Sequence, residues 1–302
     1  MNTLIHIGYP KAASTWLQHI LFPSIKGFTI VPEETITSKL LKPGAFKFDP
    51  EDLRNYFARE YPDNMILSEE RFLGSFNLGW NNGTYSKELS LRLKNVFPEA
   101  MIVLFIRKQS EVIASAYAQY VKDGGTNSLH RYLYPPSNFS FQNILKFSFE
   151  QLEYLHLIRH YKDLFGDRIK IFLYEEIKND YNTFIERFQR ELELELDEEA
   201  LNPKPINIRY SRTILGLARV SNIFTRNGSL DKYYLIHLPG YHSFSKKIWK
   251  TINRSRILGK AASAKAILGK RNFDHINDYY SDHNNQLSEI ISENLLKKHG
   301  YI

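Results

Sequence analysis

The stretch "IHIGYPKAASTWLQ", Ile5 to Gln18, sets the class of fold. It opens as a short β-rich run ending in glycine and passes through Pro-Lys, two alanines and two hydroxyls. It then takes up helical spacing at Trp16, Leu17, Ile20 and Leu21. A strand that empties through a tight loop into a helix presents free backbone N–H groups and the positive end of the helix dipole. Both favour a phosphate-like anion. Ala12 and Ala13 allow close backbone approach, Ser14 and Thr15 carry hydroxyl donors, and Lys11 adds a point charge. The pattern G-x-x-x-x-G-K-[ST], which sets the lysine beside a magnesium-holding hydroxyl, is absent. Lys11 instead precedes Ser14 by three positions, and "MILSEE" has Ser68 where a metal-holding aspartate is expected. A magnesium-dependent kinase or ATPase is therefore disfavoured, and no metal ligands are assigned.

Outward from that loop the same grammar repeats. "NMILSEE" is an apolar strand emerging at Ser68, Glu69 and Glu70. "AMIVLFIRK" is a continuous apolar run suited to a central parallel strand buried on both faces, and it leads directly into the helical "SEVIASAYAQYV". "RIKIFLYEEI" is a further strand, lying between the helices "EQLEYLHLIRHYKDLFG", which closes at Gly166, and "YNTFIERFQRELELEL". Strands alternating with helices indicate an α/β fold with a mainly parallel sheet. Ligands in such sheets bind beyond the carboxyl ends of the strands, where Lys11, Glu69 with Glu70, and Arg107 all fall. From Asn202 onward strands are scarce, and "TILGLARVSNIF", "FSKKIWKTINRSRILGKAASAKAIL" and "NNQLSEIISENLLKKHG" have helical spacing. The expected organisation is an α/β core over residues 1–200, with a helical, basic extension over 201–302 packed on the same domain. "PGAFKFDP" and "RYLYPPSNFS" are expected to be loops.

Composition bounds the function. Of 302 residues 43% are apolar and 14% aromatic, which is incompatible with wholesale disorder. The absence of cysteine excludes disulfides, thiolate metal sites and cysteine nucleophiles. "MNTLIHIG" has no basic leader, and no run approaches the roughly 18 apolar residues that span a bilayer, so a cytoplasmic protein is expected. The net charge of +7 is unevenly spread. Residues 1–199 carry 23 Lys and Arg against 27 acids, residues 200–273 carry 15 against Asp231 alone, and residues 274–302 carry 2 against 5. The late basic segment sets up a local field that attracts anionic partners.

Arg107, at a strand end in "RKQSEVIAS", offers a planar fork for phosphate oxygens, and Ser115 follows eight positions later. The order strand-"PKAASTW", strand-"SEE", strand-"RKQSEVIAS", strand-"YEEI" resembles the sulfotransferases that use 3′-phosphoadenosine 5′-phosphosulfate (PAPS). It covers most of residues 1–190 and has the P-loop-like parallel sheet flanked by helices of that family. "NIRYSRTILGLARVSN" and "YYSDHNNQL" are similar, more weakly, to its bacterial glycan-modifying branch. The resemblance implies PAPS as donor, adenosine 3′,5′-bisphosphate as product and no metal. It places Lys11 on the oxygen bridging phosphate and sulfate. The backbone of Ala12 to Trp16, with the Ser14 and Thr15 hydroxyls, would lie around the 5′-phosphosulfate. Trp16 and Tyr174 would take adenine, and Arg107 with Ser115 the 3′-phosphate. Two departures stand out: Ala13 replaces a loop glycine, and the Arg-Lys-Gly segment that completes the 3′-phosphate site in some members has only "GKRN", Gly269 to Asn272, as a substitute.

Transfer to a hydroxyl needs a base, which the resemblance places at Glu69 or Glu70. Neighbours on an extended segment point to opposite sides, so one of them faces the sulfate, and Glu69 is preferred. Pairing with Arg71 or capping the next segment is the structural alternative for either. His6, in mid-strand, is expected to be a core histidine. Tyr233, Tyr234, Tyr241, Phe244 and Trp249 among the basic residues suit an anionic carbohydrate acceptor. "FSKKIWKTINRSRIL" is also a basic amphipathic helix suited to a membrane surface, giving segment 242–271 a second candidate role. Nucleic acid is disfavoured for want of a recognition motif. The rival classes are a kinase-like phosphotransferase and a nucleotide- or polyanion-binding module without transfer.

Overall fold

The run "TLIHI" forms β1 (Thr3–Ile7), every residue of it buried, in the middle of a parallel sheet. The protein is seen here as a computed structural model describing residues 2–74, 84–135, 147–201, 209–226 and 233–302. The sheet has five strands in the order β2-β3-β1-β4-β5, with β2 (Phe28–Ile30), β3 (Asn64–Glu69), β4 (Met101–Ile106) and β5 (Ile169–Leu173). All pairings are parallel, with Ile7 opposite Glu69, His6 opposite Val103 and Ile106 opposite Leu173. Ile102 to Ile106 of β4 are wholly buried, as its uninterrupted apolar run requires. Strand β2 was not anticipated; three residues at a sheet edge are too few to display alternation.

Parallel strands need long crossovers, and helices supply them. After β1 come α1 (Ser14–Trp16), continuing through wider turns to Leu21, and then, past β2, α2 (Glu33–Ile36) and α3 (Pro50–Glu60). The Asp49 carboxylate caps α3 by accepting from the amides of Glu51 and Asp52. Helix α4 (Thr84–Val96) joins β3 to β4; α5 (Gln109–Lys122), α6 (Leu129–Leu133) and α7 (Tyr154–Phe165) join β4 to β5. Helix α7 closes at Gly166, whose φ of 63° is the left-handed conformation glycine tolerates.

Beyond β5 the described residues are helices and loops apart from one bridge, Leu196 to Ile25. They comprise α8 (Tyr174–Asn179), α9 (Tyr181–Leu192), α10 (Arg212–Ser221), α11 (Tyr241–Ser255), α12 (Ala264–Leu268), α13 (Lys270–Gln286) and α14 (Glu293–Lys298). Residues 136–140 of an expected loop, residues 202–208 and Asp231 lie outside the described residues. Helix α5 is the seat of the C-terminal part, with α10, α12 and α13 packed on it.

Two buried amides lock that arrangement. Gln109 Nε2 donates to Asn284 Oδ1 at 2.7 Å, while Asn284 Nδ2 donates to Gln109 Oε1 at 3.2 Å and to the Tyr301 carbonyl at 3.1 Å. Asn284→Ala strands the Gln109 amide and a buried carbonyl, and should destabilise the protein by about 1–3 kcal/mol. Urea unfolding should show one transition with a lower midpoint and an unchanged slope. A separate early transition would mean that the C-terminal helices unfold on their own.

Candidate active site

Strands β3, β1 and β4 are neighbours, so the segments leaving their carboxyl ends converge. Gly8 begins the loop after β1 because a Cβ there would lie 2.7 Å from two atoms of the His6 ring. His6 is fully buried and its Nδ1 lies 2.8 Å from Ser68 Oγ; its Nε2 has no partner among the described residues. Burial lowers its pKa to about 3, so it is a neutral core histidine, partnered on one side only. Ser68 is occupied with that ring.

The loop holds two strained residues. Lys11 and Ala13 both have φ of 74°, so Ala13 accepts the left-handed conformation at which a glycine is expected. Each such residue costs on the order of 1–2 kcal/mol. Left-handed residues in a turn aim successive N–H groups into one concavity, the geometry of an anion nest. Ala13 also caps α1, its carbonyl accepting from the amides of Trp16 and Leu17. The amides of Ser14 and Thr15 therefore head a helix that supplies them no internal acceptor. Ser14 Oγ is buried at the head of this helix, with the Glu70 carboxylate as its neighbour.

Arg107 ties this loop to the end of β4. Its Nη1 donates to the Lys11 carbonyl at 2.9 Å, its Nη2 lies 3.1 Å from Glu111 Oε2, and its guanidinium covers the Tyr174 ring at 4.1 Å. Its own carbonyl accepts from the Tyr154 hydroxyl, and its buried Nε has no partner among the described residues. Lys11 Nζ reaches Gln119 Oε1 at 3.5 Å. Glu111, Ser115 and Gln119 follow one another at single-turn spacing along α5. Half-buried Ser115 thus stands between the partner of Arg107 and the partner of Lys11. The strained loop, the two cations Lys11 and Arg107 and the buried Arg107 Nε fit a ligand bearing two anionic groups.

The two glutamates are sharply distinguished. Glu69, 5% exposed, is held by Arg71: Oε1 accepts from the Arg71 amide at 2.9 Å and from Nε at 2.8 Å, and Oε2 from Nη2 at 2.6 Å. Arg71 is in turn fixed by Glu33 and Thr37. Glu69, the glutamate preferred as base, thus has its lone pairs engaged in capping and ion pairing, the structural alternative. Glu70 faces the loop. Burial raises its pKa, the Ser14 hydroxyl and Lys11 charge pull it down, and the Glu69 charge pushes it up; the net shift is upward.

Trp16, expected to stack on adenine, is packed against helix α9. The side chain is 6% exposed and meets Tyr181 and Phe184 of α9 edge-on, so it belongs to the core. Tyr174 is half-buried beside Arg107 and is the ring at the site. "GKRN" opens α13 with Lys270 and Arg271 exposed, and among the described residues neither has a recorded contact with Arg107.

Cations that were not singled out do reach the site. Arg209 Nη2 lies 3.0 Å from Glu111 Oε2, so one carboxylate bridges Arg107 and Arg209. Burial raises the Glu111 pKa, but the two arginines outweigh it and the net shift is downward. Lys122 covers the Tyr210 ring at 4.4 Å. Burial first, then the charge of Lys11 and those of Arg209 and Lys246, lower its pKa to about 8 against the pull of Asp123. Lys122 continues the α5 face of Glu111, Ser115 and Gln119, a helical spacing visible in the sequence. Arg209 sits 98 residues from Glu111, with no spacing to announce it. Apart from this site, Glu153, His156 and His283 on the seam between α7 and α13 bring potential metal-ligand atoms within 4.8 Å of one another.

Two stability outcomes follow. Ala13→Gly should relieve the left-handed strain and, after glycine's entropic penalty, stabilise the unliganded protein by up to about 1 kcal/mol. Ala13→Val should do the reverse, both read by thermal denaturation. Glu69→Gln should destabilise by roughly 1–2 kcal/mol, a figure discounted because Arg71 is half-exposed.

No family model matches the chain, and no curated protein does. Among solved structures, a sulfotransferase from Alicyclobacillus acidocaldarius superposes with a TM-score of 0.47 at 17% identity. It covers 65% of this chain and 83% of that one. A mouse sulfotransferase complexed with PAP superposes with a TM-score of 0.44 at 13% identity, over 99% of this chain and 89% of that one.

Proposed function

We propose that the chain is a sulfotransferase that moves the sulfuryl group of PAPS to a hydroxyl of an anionic carbohydrate. The observation that supports this is the 2.9 Å bond from Arg107 to the Lys11 carbonyl, which sets the two expected anion-binding groups side by side. Lys11, the amides heading α1 and the hydroxyls of Ser14 and Thr15 would take the 5′-phosphosulfate. Arg107 and Ser115 would take the 3′-phosphate, with Arg209 supplying the cation sought at "GKRN", and Tyr174 would lie against the base.

In the reaction the acceptor hydroxyl loses its proton to Glu70 as its oxygen bonds to sulfur. The bond from sulfur to the bridging oxygen breaks, and the departing phosphate oxygen takes the electron pair beside the Lys11 ammonium. Charge set against a developing oxyanion is usually the largest catalytic contribution. Glu70 suits the base role because its pKa is raised while Lys11 and Ser14 keep it ionisable. Lys122 and Lys246, with Tyr210 and Tyr233 nearby, supply cations and rings for an acidic sugar.

Thermal shift should show selective stabilisation by adenosine 3′,5′-bisphosphate over ATP, and labelled sulfate should pass from PAPS to carbohydrate acceptors. Tight binding of the bisphosphate with no transfer to any acceptor tried would support a binding module instead. Lys11→Ala should lower kcat by about 10²–10³ and Glu70→Gln by about 10²–10⁴. Folded Glu69→Gln should remain within a few-fold of wild type. Arg107→Ala should chiefly raise the KM for PAPS. Because the base acts deprotonated and its pKa is raised, kcat/KM should fall with decreasing pH through a limb above the ordinary carboxylate value of 4.5. A limb at or below that value would remove Glu70 from the role.

A further inference from the structure

Of the sixteen large apolar side chains that stand exposed among the described residues, eleven fall between Leu217 and Ile257. Leu235 is 76% exposed, Phe244 62% and Ile257 81%. A scatter of single exposed apolar residues needs no explanation, but a concentration in one region does. The region is continuous. The Leu235 amide donates to the Ile223 carbonyl at 2.8 Å, the Leu238 amide to that of Phe224 at 3.1 Å, and the Phe224 and Tyr241 rings meet at 6.0 Å.

Helix α11 shows how the surface is made. Trp249 and Ile252 are half-buried, with Trp249 Nε1 donating to Ser221 Oγ of α10 at 3.2 Å. Phe244 and Ile248, one turn apart on the flank, are left exposed. Lys247, Lys250 and Arg254 recur at the spacing of one helical stripe and are exposed beside them. The surrounding residues 200–273 hold 15 basic side chains against Asp231 alone.

We propose that this face docks peripherally on an anionic lipid bilayer, Phe244, Ile248 and Leu235 entering the headgroup boundary while the stripe of Lys247, Lys250 and Arg254 meets lipid phosphates. Exposed apolar side chains bordered by cations are what an anionic membrane surface selects, and each basic residue near it strengthens partitioning by roughly fivefold. No described helix is long and apolar enough to cross a membrane, so the contact lies on the surface. The face is anchored at the C-terminal end of α5. Asn222 Nδ2 donates to the Val121 carbonyl at 2.8 Å, the Tyr233 amide to Thr126 Oγ1 at 2.9 Å, and Lys246 pairs with Asp123 at 3.3 Å. Lys122 belongs to that same end and feels the charge of Lys11. Resting on the sulfuryl-transfer assignment, the acceptor hydroxyl is then delivered to Lys11 and Glu70 from the bilayer surface.

The test is sedimentation of the full chain with vesicles of phosphatidylcholine alone or mixed with phosphatidylglycerol, at low and high salt. Binding is expected to the mixed vesicles only, and release by salt. Phe244→Glu with Ile248→Glu, and separately Lys247→Glu with Lys250→Glu, should each weaken binding by about tenfold or more. Leu91→Glu, an exposed apolar position on α4, should leave binding and the melting temperature unchanged. Absence of binding to the mixed vesicles at low salt overturns the proposal. So does binding that neither double variant alters, or a dimer in size-exclusion chromatography that Phe244→Glu dissociates while vesicles go unbound. Sedimentation needs neither PAPS nor turnover, so a failure there leaves the transfer assignment standing, and a failure of transfer leaves the membrane contact standing.

Discussion

The guanidinium of Arg107 crosses from the end of β4 to the carbonyl of Lys11 at the end of β1, and the rest of the site is arranged around that bond. Adjacency of the two strands brings the groups near. A flexible ammonium would not hold them in register, whereas a planar fork with fixed donors does. The plane is set by the Tyr174 ring on one side and Glu111 on another, while the Tyr154 hydroxyl holds the backbone of the same residue. Lys11 thereby has two separate uses: its carbonyl is an anchor for Arg107, and its side chain supplies charge to the cavity. The left-handed backbone at Lys11 and Ala13 is the strain that goes with this arrangement.

Around that bond the protein gathers charge of both signs. Lys11, Arg107, Lys122 and Arg209 converge, and Glu70, Glu111, Asp123 and Glu175 act on them. The depressed pKa of Lys122 records the conflict: burial and neighbouring cations both oppose its proton. Perturbation by burial together with named charges, in a cleft at strand ends, marks functional sites more often than structural ones. Under the proposed function, an arriving anion would relieve the repulsion and supply an acceptor to Arg107 Nε.

The frame of this site was legible in the chain because it depends on local pattern. Strands β1, β3 and β4 are apolar runs long enough to recognise, and each ends at a residue whose chemistry differs abruptly from the run before it. What escaped depends on distant partners. Glu69 and Glu70 are adjacent and alike, and the choice between them is made by Arg71, which Glu33 and Thr37 hold from another element. Trp16 became a core residue because Tyr181 and Phe184 of α9 lie beneath it. Arg209 reached Glu111 across 98 residues of sequence. Periodicity reports which face of an element is buried, not which side chain another element brings to it.

The basic C-terminal part ties the cavity to the molecular surface. Its helices α10, α12 and α13 pack on α5, so the helix that carries Glu111, Ser115 and Gln119 past the loop also bears the extension. At its far end the Lys246–Asp123 pair and the Asn222 bonds fix the apolar, basic face within a turn of Lys122. One helix therefore sets the distance between the surface charge and the reacting charge. Fields of like sign add and fall off over about 10 Å at moderate ionic strength, and Lys122 lies near enough to feel both Lys11 and Lys246. Under the proposed function, a surface this short of acids beside Lys122 would steer anionic groups toward Lys11. That steering requires no rearrangement of the fold, because the amide pair of Gln109 and Asn284 already holds the extension against the core.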